Sequence, residues 1–267
     1  KLWIKGDEPT ELIISPVPFG DPAGNKTLTE TLPLVNSCFG VAVVGDKAYM
    51  FGGTTNRPTP ATSYMRTDAI CVFDANSKTS QKLSKTLPSA MGEISAVAIG
   101  TKVYLFGGGN AIMVFDTTKE TIETISTTLP FAVRGIAAVT VGTKVFLFGG
   151  YNDTSLGYSN VILTFDSTDN SVRTLSTTLP TAMRDIGAIA IGSNVYLFGG
   201  QKGYRSDVDT ILEFNTVTET ISTLSTKLPL VSSAMGVSAI GSNVYLFGGM
   251  SGSTMLNTIY VFDAVSK

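Results

Sequence analysis

Few residues in this chain have the chemistry of a reaction centre. None of its 267 residues is histidine, which removes the commonest general base and the commonest metal ligand. What remains is an acid–base pair of carboxylates. Glu93 and Asp185, with Arg184 beside the second, are the charges that interrupt the surrounding pattern. A sugar-processing reaction of the mutarotase or lyase type would have to use them. A second group suits binding instead. Tyr151-Asn152-Asp153 and Lys202-Gly203-Tyr204-Arg205-Ser206-Asp207 put aromatic faces beside polar groups, a combination that suits sugars or peptide side chains. Arg134 and Arg184 can reach a ligand or tie neighbouring units together. Cys38 and Cys71 have no activating base and read as two buried free thiols. No acidic segment has the spacing of a calcium loop, so no metal, no cofactor and no catalytic residue is assigned.

The elements that must position these residues repeat. Val195-Tyr196-Leu197-Phe198-Gly199-Gly200 recurs as Ala48–Gly53, Val103–Gly108, Val145–Gly150 and Val244–Gly249, with successive spacings of 55, 42, 50 and 49 residues. Strand-rich units at that period build propellers. Each unit has a strand of Ala, Val and Ile, a Gly-containing turn, the strand ending in the double glycine, a variable loop, and a strand ending Phe-Asp (Phe-Asn at 214–215). A Leu-Pro pair opens each unit. From each Phe to the next Leu of Leu-Pro is 14 residues, four times out of four, which fixes a common register. Gly followed by Asp, Thr or Ser between apolar runs predicts a tight hairpin. The small residues of the first strand suit the crowded axis of a ring. The last unit has no Leu-Pro segment after Phe262-Asp263, while Leu28–Pro33 is a spare one ahead of the first. We therefore expect an all-β, five-bladed propeller closed by an N-terminal strand that completes the last blade. By unit position the two cysteines lie two strands apart, about 9–10 Å, too far for a bridge.

With the double glycine, the aromatic-Asp, the Leu-Pro and the arginine four residues after Pro in two units (Arg134, Arg184), residues 24–267 resemble the kelch repeat. Two features depart from that pattern. Ser80, Ile122, Val172 and Ile221 stand where the repeat usually has Trp, and Ser37, Gly92 and Ser233 replace the arginine. The resemblance implies a protein- or glycan-binding module whose binding face is made by the loops after the double glycine and after Leu-Pro.

Residues 1–23 belong to no repeat. We read them as an arm, with Trp3, Ile4, Leu12, Ile13 and Ile14 covering the propeller or adding a strand to a neighbouring copy. Hydrophobic residues make up 43% and charged residues 15%, with a formal net charge of −2. No nucleic-acid partner is expected from that balance, and no apolar run has the length to span a bilayer. A surface in which Thr and Ser, roughly a fifth of the chain, replace Lys and Glu suits an extracellular or cell-surface protein, with the cytoplasm as the alternative. Asn25-Lys26-Thr27 and Asn152-Asp153-Thr154 are candidate glycosylation sites. The expected function is a non-enzymatic interaction or structural module that binds a protein or copies of itself. A glycan-binding, lectin-like propeller is the alternative.

Overall fold

The computed structural model describes residues 31–34, 37–55 and 65–267, and among these every regular element is a strand. Blade 3 shows the unit in full. Ala137–Val141 turns back as Lys144–Phe148, which pairs with Val161–Asp166, which pairs in turn with Ser171–Thr178, all antiparallel. The first turn holds Gly142 at φ +63°, and a Cβ there would meet nothing. Glycine is needed for the backbone angle, not for space. Gly149, at φ +64°, needs both, because a Cβ there would also run into the carbonyl of Met183, on the segment that follows Leu-Pro.

The strand before the double glycine is buried on both faces. Val145, Phe146, Leu147 and Phe148 are all buried, because a neighbouring blade lies on each side. One aromatic device joins successive blades. In blades 2 to 5 the phenylalanine of Phe-Asp (Phe-Asn in blade 4) sits against the aromatic pair of the blade before it: Phe115 against Tyr49 and Phe51, Phe165 against Tyr104 and Phe106, Phe214 against Phe146 and Phe148, and Phe262 against Tyr196 and Phe198. Ring centroids lie 5.2–5.6 Å apart in tilted or edge-on geometry. Such ring pairs add about 0.5–1.5 kcal/mol beyond their area burial.

The first strands line the axis, as their small residues predict. Gly40–Val44 packs on Ser95–Ile99, that on Ala137–Val141, that on Gly187–Ile191, and that on Gly236–Ile240. The molecule is a five-bladed kelch-type propeller. The strand expected to complete blade 5 falls largely outside the described residues, as do the arm and its Trp3, Ile4, Leu12, Ile13 and Ile14, and Asn25. Among the described residues Ile259–Asp263 has no fourth strand, and blades 5 and 1 do not pack as the other neighbours do. One expectation about the cysteines is corrected. Both are free, but only Cys71 is buried, while Cys38 is exposed. Cys38 lies ahead of the first inner strand, on a crossing at the mouth, and so escapes the core. Among the described residues, no helix is long and apolar enough to cross a membrane.

Candidate functional site at the propeller mouth

After each Leu-Pro the chain crosses from the outer edge of one blade to the axis. The fifth residue past Pro is Cys38, Glu93, Gly135, Asp185 or Ala234, and all five take positive φ, between 53° and 59°. Their backbones are linked blade to blade. The Glu93 amide donates to Cys38 O at 2.9 Å, Gly135 to Glu93 at 3.1 Å, Asp185 to Gly135 at 3.0 Å and Ala234 to Asp185 at 2.8 Å. The result is an arc of peptide groups around the mouth. Non-glycine residues in this conformation cost about 1–2 kcal/mol each, offset here by pairing peptide groups that would otherwise lie unpaired.

At four of the five arc positions the residue just before is fastened to the residue after the double glycine. Ser37 pairs with Thr54, Arg134 with Tyr151, Arg184 with Gln201 and Ser233 with Met250. Both loop sets expected to make the binding face are thereby held together, and the two arginines emerge side by side. Arg184 Nε is 3.1 Å from Asp185 Oδ2 and its Nη1 is 3.5 Å from Glu93 Oε2, while Nε and Nη2 donate to Gln201 Oε1 at 3.4 and 3.3 Å. Arg134 Nε is 3.0 Å from Asp153 Oδ1 and 4.0 Å from Glu93 Oε2, and its guanidinium lies 4.6 Å above the Tyr151 ring. Tyr158 meets Tyr151 edge-on and donates to Gln201 Oε1 at 3.3 Å. Gln201 Nε2 donates to Asp207, which also accepts from the Gly252 amide. Blades 2 to 5 are thus tied by one polar network.

Four carboxylates, Glu93, Asp153, Asp185 and Asp207, share this network with two guanidinium groups. Burial pushes the Asp185 carboxyl up to about 6; Arg184 opposes the shift, and Glu93 and Asp207 add to it. Under the arc a cavity of about 270 Å³ is lined by residues of all five blades, among them the apolar collar Phe39, Ile94, Ile136, Ile186 and Met235.

The sequence-derived candidates divide. Arg134, Arg184, Tyr151 and Asp153 converge, with Glu93 and Asp185. Asn152 is occupied in a turn, its Oδ1 accepting from the Thr154 and Ser155 amides. Tyr204 stands 82% exposed with the Arg205 guanidinium 5.1 Å over its ring, and no contact joins the pair to the arginine network. Gln201 and Tyr158 were not anticipated, while Asp207 lies at the end of the Lys202–Asp207 stretch read from the sequence. Gln201 had a usable signal, since it follows its double glycine as Tyr151 does. Glu93 and Asp185, the only acid–base candidates, are both held on Arg184, so neither faces the cavity as a free partner to the other.

A sequence model of the kelch-repeat domain of KLHDC2, KLHL20 and DRC7 matches residues 38–180 and again 135–267. No curated protein matches the chain. The overlapping matches run from the mouth arc of blade 1 through the last described strand, and with the five aromatic-linked blades they show that the chain belongs to the kelch-repeat propellers.

Proposed function

We propose that this propeller is a non-enzymatic protein-interaction module that receives its partner on the mouth face, over Arg134 and Arg184. One observation carries the reading: both guanidinium groups are partly exposed yet already held by carboxylates and Gln201 at the rim of a cavity that residues of all five blades line. Preorganised polar groups around a depression lose little freedom on binding. Kelch propellers generally serve as binding modules, and the clamped carboxylates favour that over acid–base chemistry. The test compares proteins retained from the source organism's extract by the folded chain and by an Arg134→Ala/Arg184→Ala variant of unchanged circular dichroism. Selective loss of one partner supports the mouth; an unchanged set overturns it.

A glycan reading rests on Tyr204, whose exposed ring and adjacent Arg205 form a platform apart from the network. Glycan-array binding abolished by Tyr204→Ala would support it, and no binding by the parent chain would end it. Self-assembly through residues 1–23 rests on their apolar content. Light scattering of the full chain and of one lacking these residues decides it, since equal masses leave the arm without that role. The Thr- and Ser-rich surface supports an extracellular setting.

A further inference from the structure

The chain has eight methionines, and they fall into two groups. Met50, Met91, Met113, Met183 and Met235 are buried, none of them more than 9% exposed. Met65, Met250 and Met255 are 47%, 36% and 83% exposed. All three stand on the mouth face. Met250 follows the double glycine of blade 5, and its amide and carbonyl both pair with Ser233, the residue before the arc position Ala234. Met255 is the cross-strand partner of Met250 in the hairpin made by Met250–Ser251 and Thr254–Met255. Met65 pairs with Thr55, next to the Thr54 that bridges to Ser37 ahead of the arc position Cys38.

The contrast is sharpest on the crossings themselves. Met91 and Met183 come two residues before an arc position and Met235 one after, yet each packs into the core of its blades. None of the three exposed methionines belongs to a core cluster among the described residues. A change at their sulfur therefore alters the surface and leaves the packing alone. The setting makes that change large. Residues 229–235 and 250–257 contain no charged side chain, and Leu230 and Val231 are exposed beside them. The charges of the mouth lie in blades 2 to 4, so blade 5 is its apolar sector.

A thioether sulfur is nucleophilic and has no proton to lose, so it reacts with a peroxide whatever the pH. The sulfur attacks one oxygen of hydrogen peroxide, the O–O bond breaks, that oxygen stays on sulfur and water leaves. Sulfur is oxidised by two electrons and the peroxide reduced by two. The product is a polar, chiral sulfoxide that dedicated reductases return to methionine.

We propose that Met65, Met250 and Met255 are an oxidation-responsive site on the binding face: oxygen transfer from a peroxide turns this uncharged sector polar and releases the mouth-face partner, while the buried methionines keep the blades intact. The release of a partner rests on the function proposed above; the site and its selectivity do not.

The experiment treats the full chain with hydrogen peroxide at pH 6, where both thiols are protonated, and locates added oxygen by peptide mass. Met255, Met65 and Met250 should convert while the other five stay mostly unmodified. Circular dichroism should not change, and elution from a hydrophobic-interaction column should become earlier. The two stereospecific methionine sulfoxide reductases should restore it, and a Met65→Leu/Met250→Leu/Met255→Leu variant should elute alike with and without peroxide. Even oxidation of all eight methionines, loss of the folded signal when the three convert, or an elution shift that persists in the triple variant overturns the proposal. Protein retention then tests the consequence. A partner that needs Arg134 and Arg184 and is released on oxidation supports the switch. A partner that stays on the fully oxidised chain overturns the switch and leaves the mouth as the binding face.

Discussion

Asp185 Oδ2 lies 3.1 Å from Nε of its own neighbour Arg184, yet its carboxyl is pushed up to about 6 from 3.8. Burial outweighs the ion pair, and the nearby carboxylates Glu93 and Asp207 tip the balance further. The mouth thus holds a negative charge at neutral pH at a cost in stability.

That cost can be measured. The folded chain binds the Asp185 proton more tightly than the unfolded chain, so this group's contribution falls as pH rises from about 4 to about 6 and stays lost above. The difference corresponds to about 3 kcal/mol at most. Asn accepts positive φ more readily than most residues, so Asp185→Asn should raise stability at pH 7 and remove that pH slope. Urea unfolding at pH 4.5 and 7 checks it. An unchanged slope would mean that Asp185 is hydrated in solution.

The Asp of each Phe-Asp acts in the opposite sense. Asp166 Oδ1 accepts from the Thr168 amide at 3.0 Å and its hydroxyl at 2.7 Å, and these bonds lower its pKa. Asp74, Asp116 and Asp263 are lowered similarly, by turn amides and hydroxyls. Stability from these turns is present above pH 4 and is lost as pH falls through the lowered values. Asn215 fills the same role in blade 4, accepting from the Val217 and Thr218 amides. Asp166→Asn should therefore keep the fold and lessen the acid loss, while Asp166→Ala should cost about 1 kcal/mol at neutral pH. Thermal melts from pH 2.5 to 7 separate the two.

Gly135 is the one glycine of the mouth arc. A Cβ there would lie 2.6 Å from Asp185 Oδ1 at φ +59°. Gly135→Ala should cost about 1–3 kcal/mol and displace the Asp185 carboxylate from Arg184. Ala234→Gly relieves strain at the equivalent position and should be near neutral. Chemical denaturation of both variants tests whether the arc is strained where its side chains say it is.

Phe165 is fully buried between Tyr104 and Phe106. Phe165→Ala should cost about 3–5 kcal/mol and loosen blade 2 from blade 3. Exchange should rise first along Lys102–Phe106 and Val161–Asp166. A uniform rise over all blades would show instead that the propeller opens only as a whole.

The blades were readable in sequence because their makers are residue types. Gly149 must be glycine to pass beneath Met183, Phe165 must be large to fill its place between aromatics, and the 14-residue interval leaves one register. The mouth was less readable. Its arc runs through Cys38, Glu93, Gly135, Asp185 and Ala234, five types joined only by peptide groups, so no composition marks it. Gln201 and Asp207 share one loop, and Tyr158, from the loop of the blade before, reaches Gln201 only once the blades are stacked. The exposure of Cys38 was missed for the same reason, since a position on the arc resembles the start of a strand.

Because the arc is held by main-chain bonds, the side chains it presents are nearly independent of what supports them. Four positions around one opening can be rewritten singly, each at the modest penalty of its backbone angle, while the blades beneath keep their geometry; the fifth, Gly135, is confined by the Asp185 carboxylate. Such a rim separates the evolution of recognition from the evolution of the fold, so related propellers can change what they bind by exchanging a few letters at the mouth.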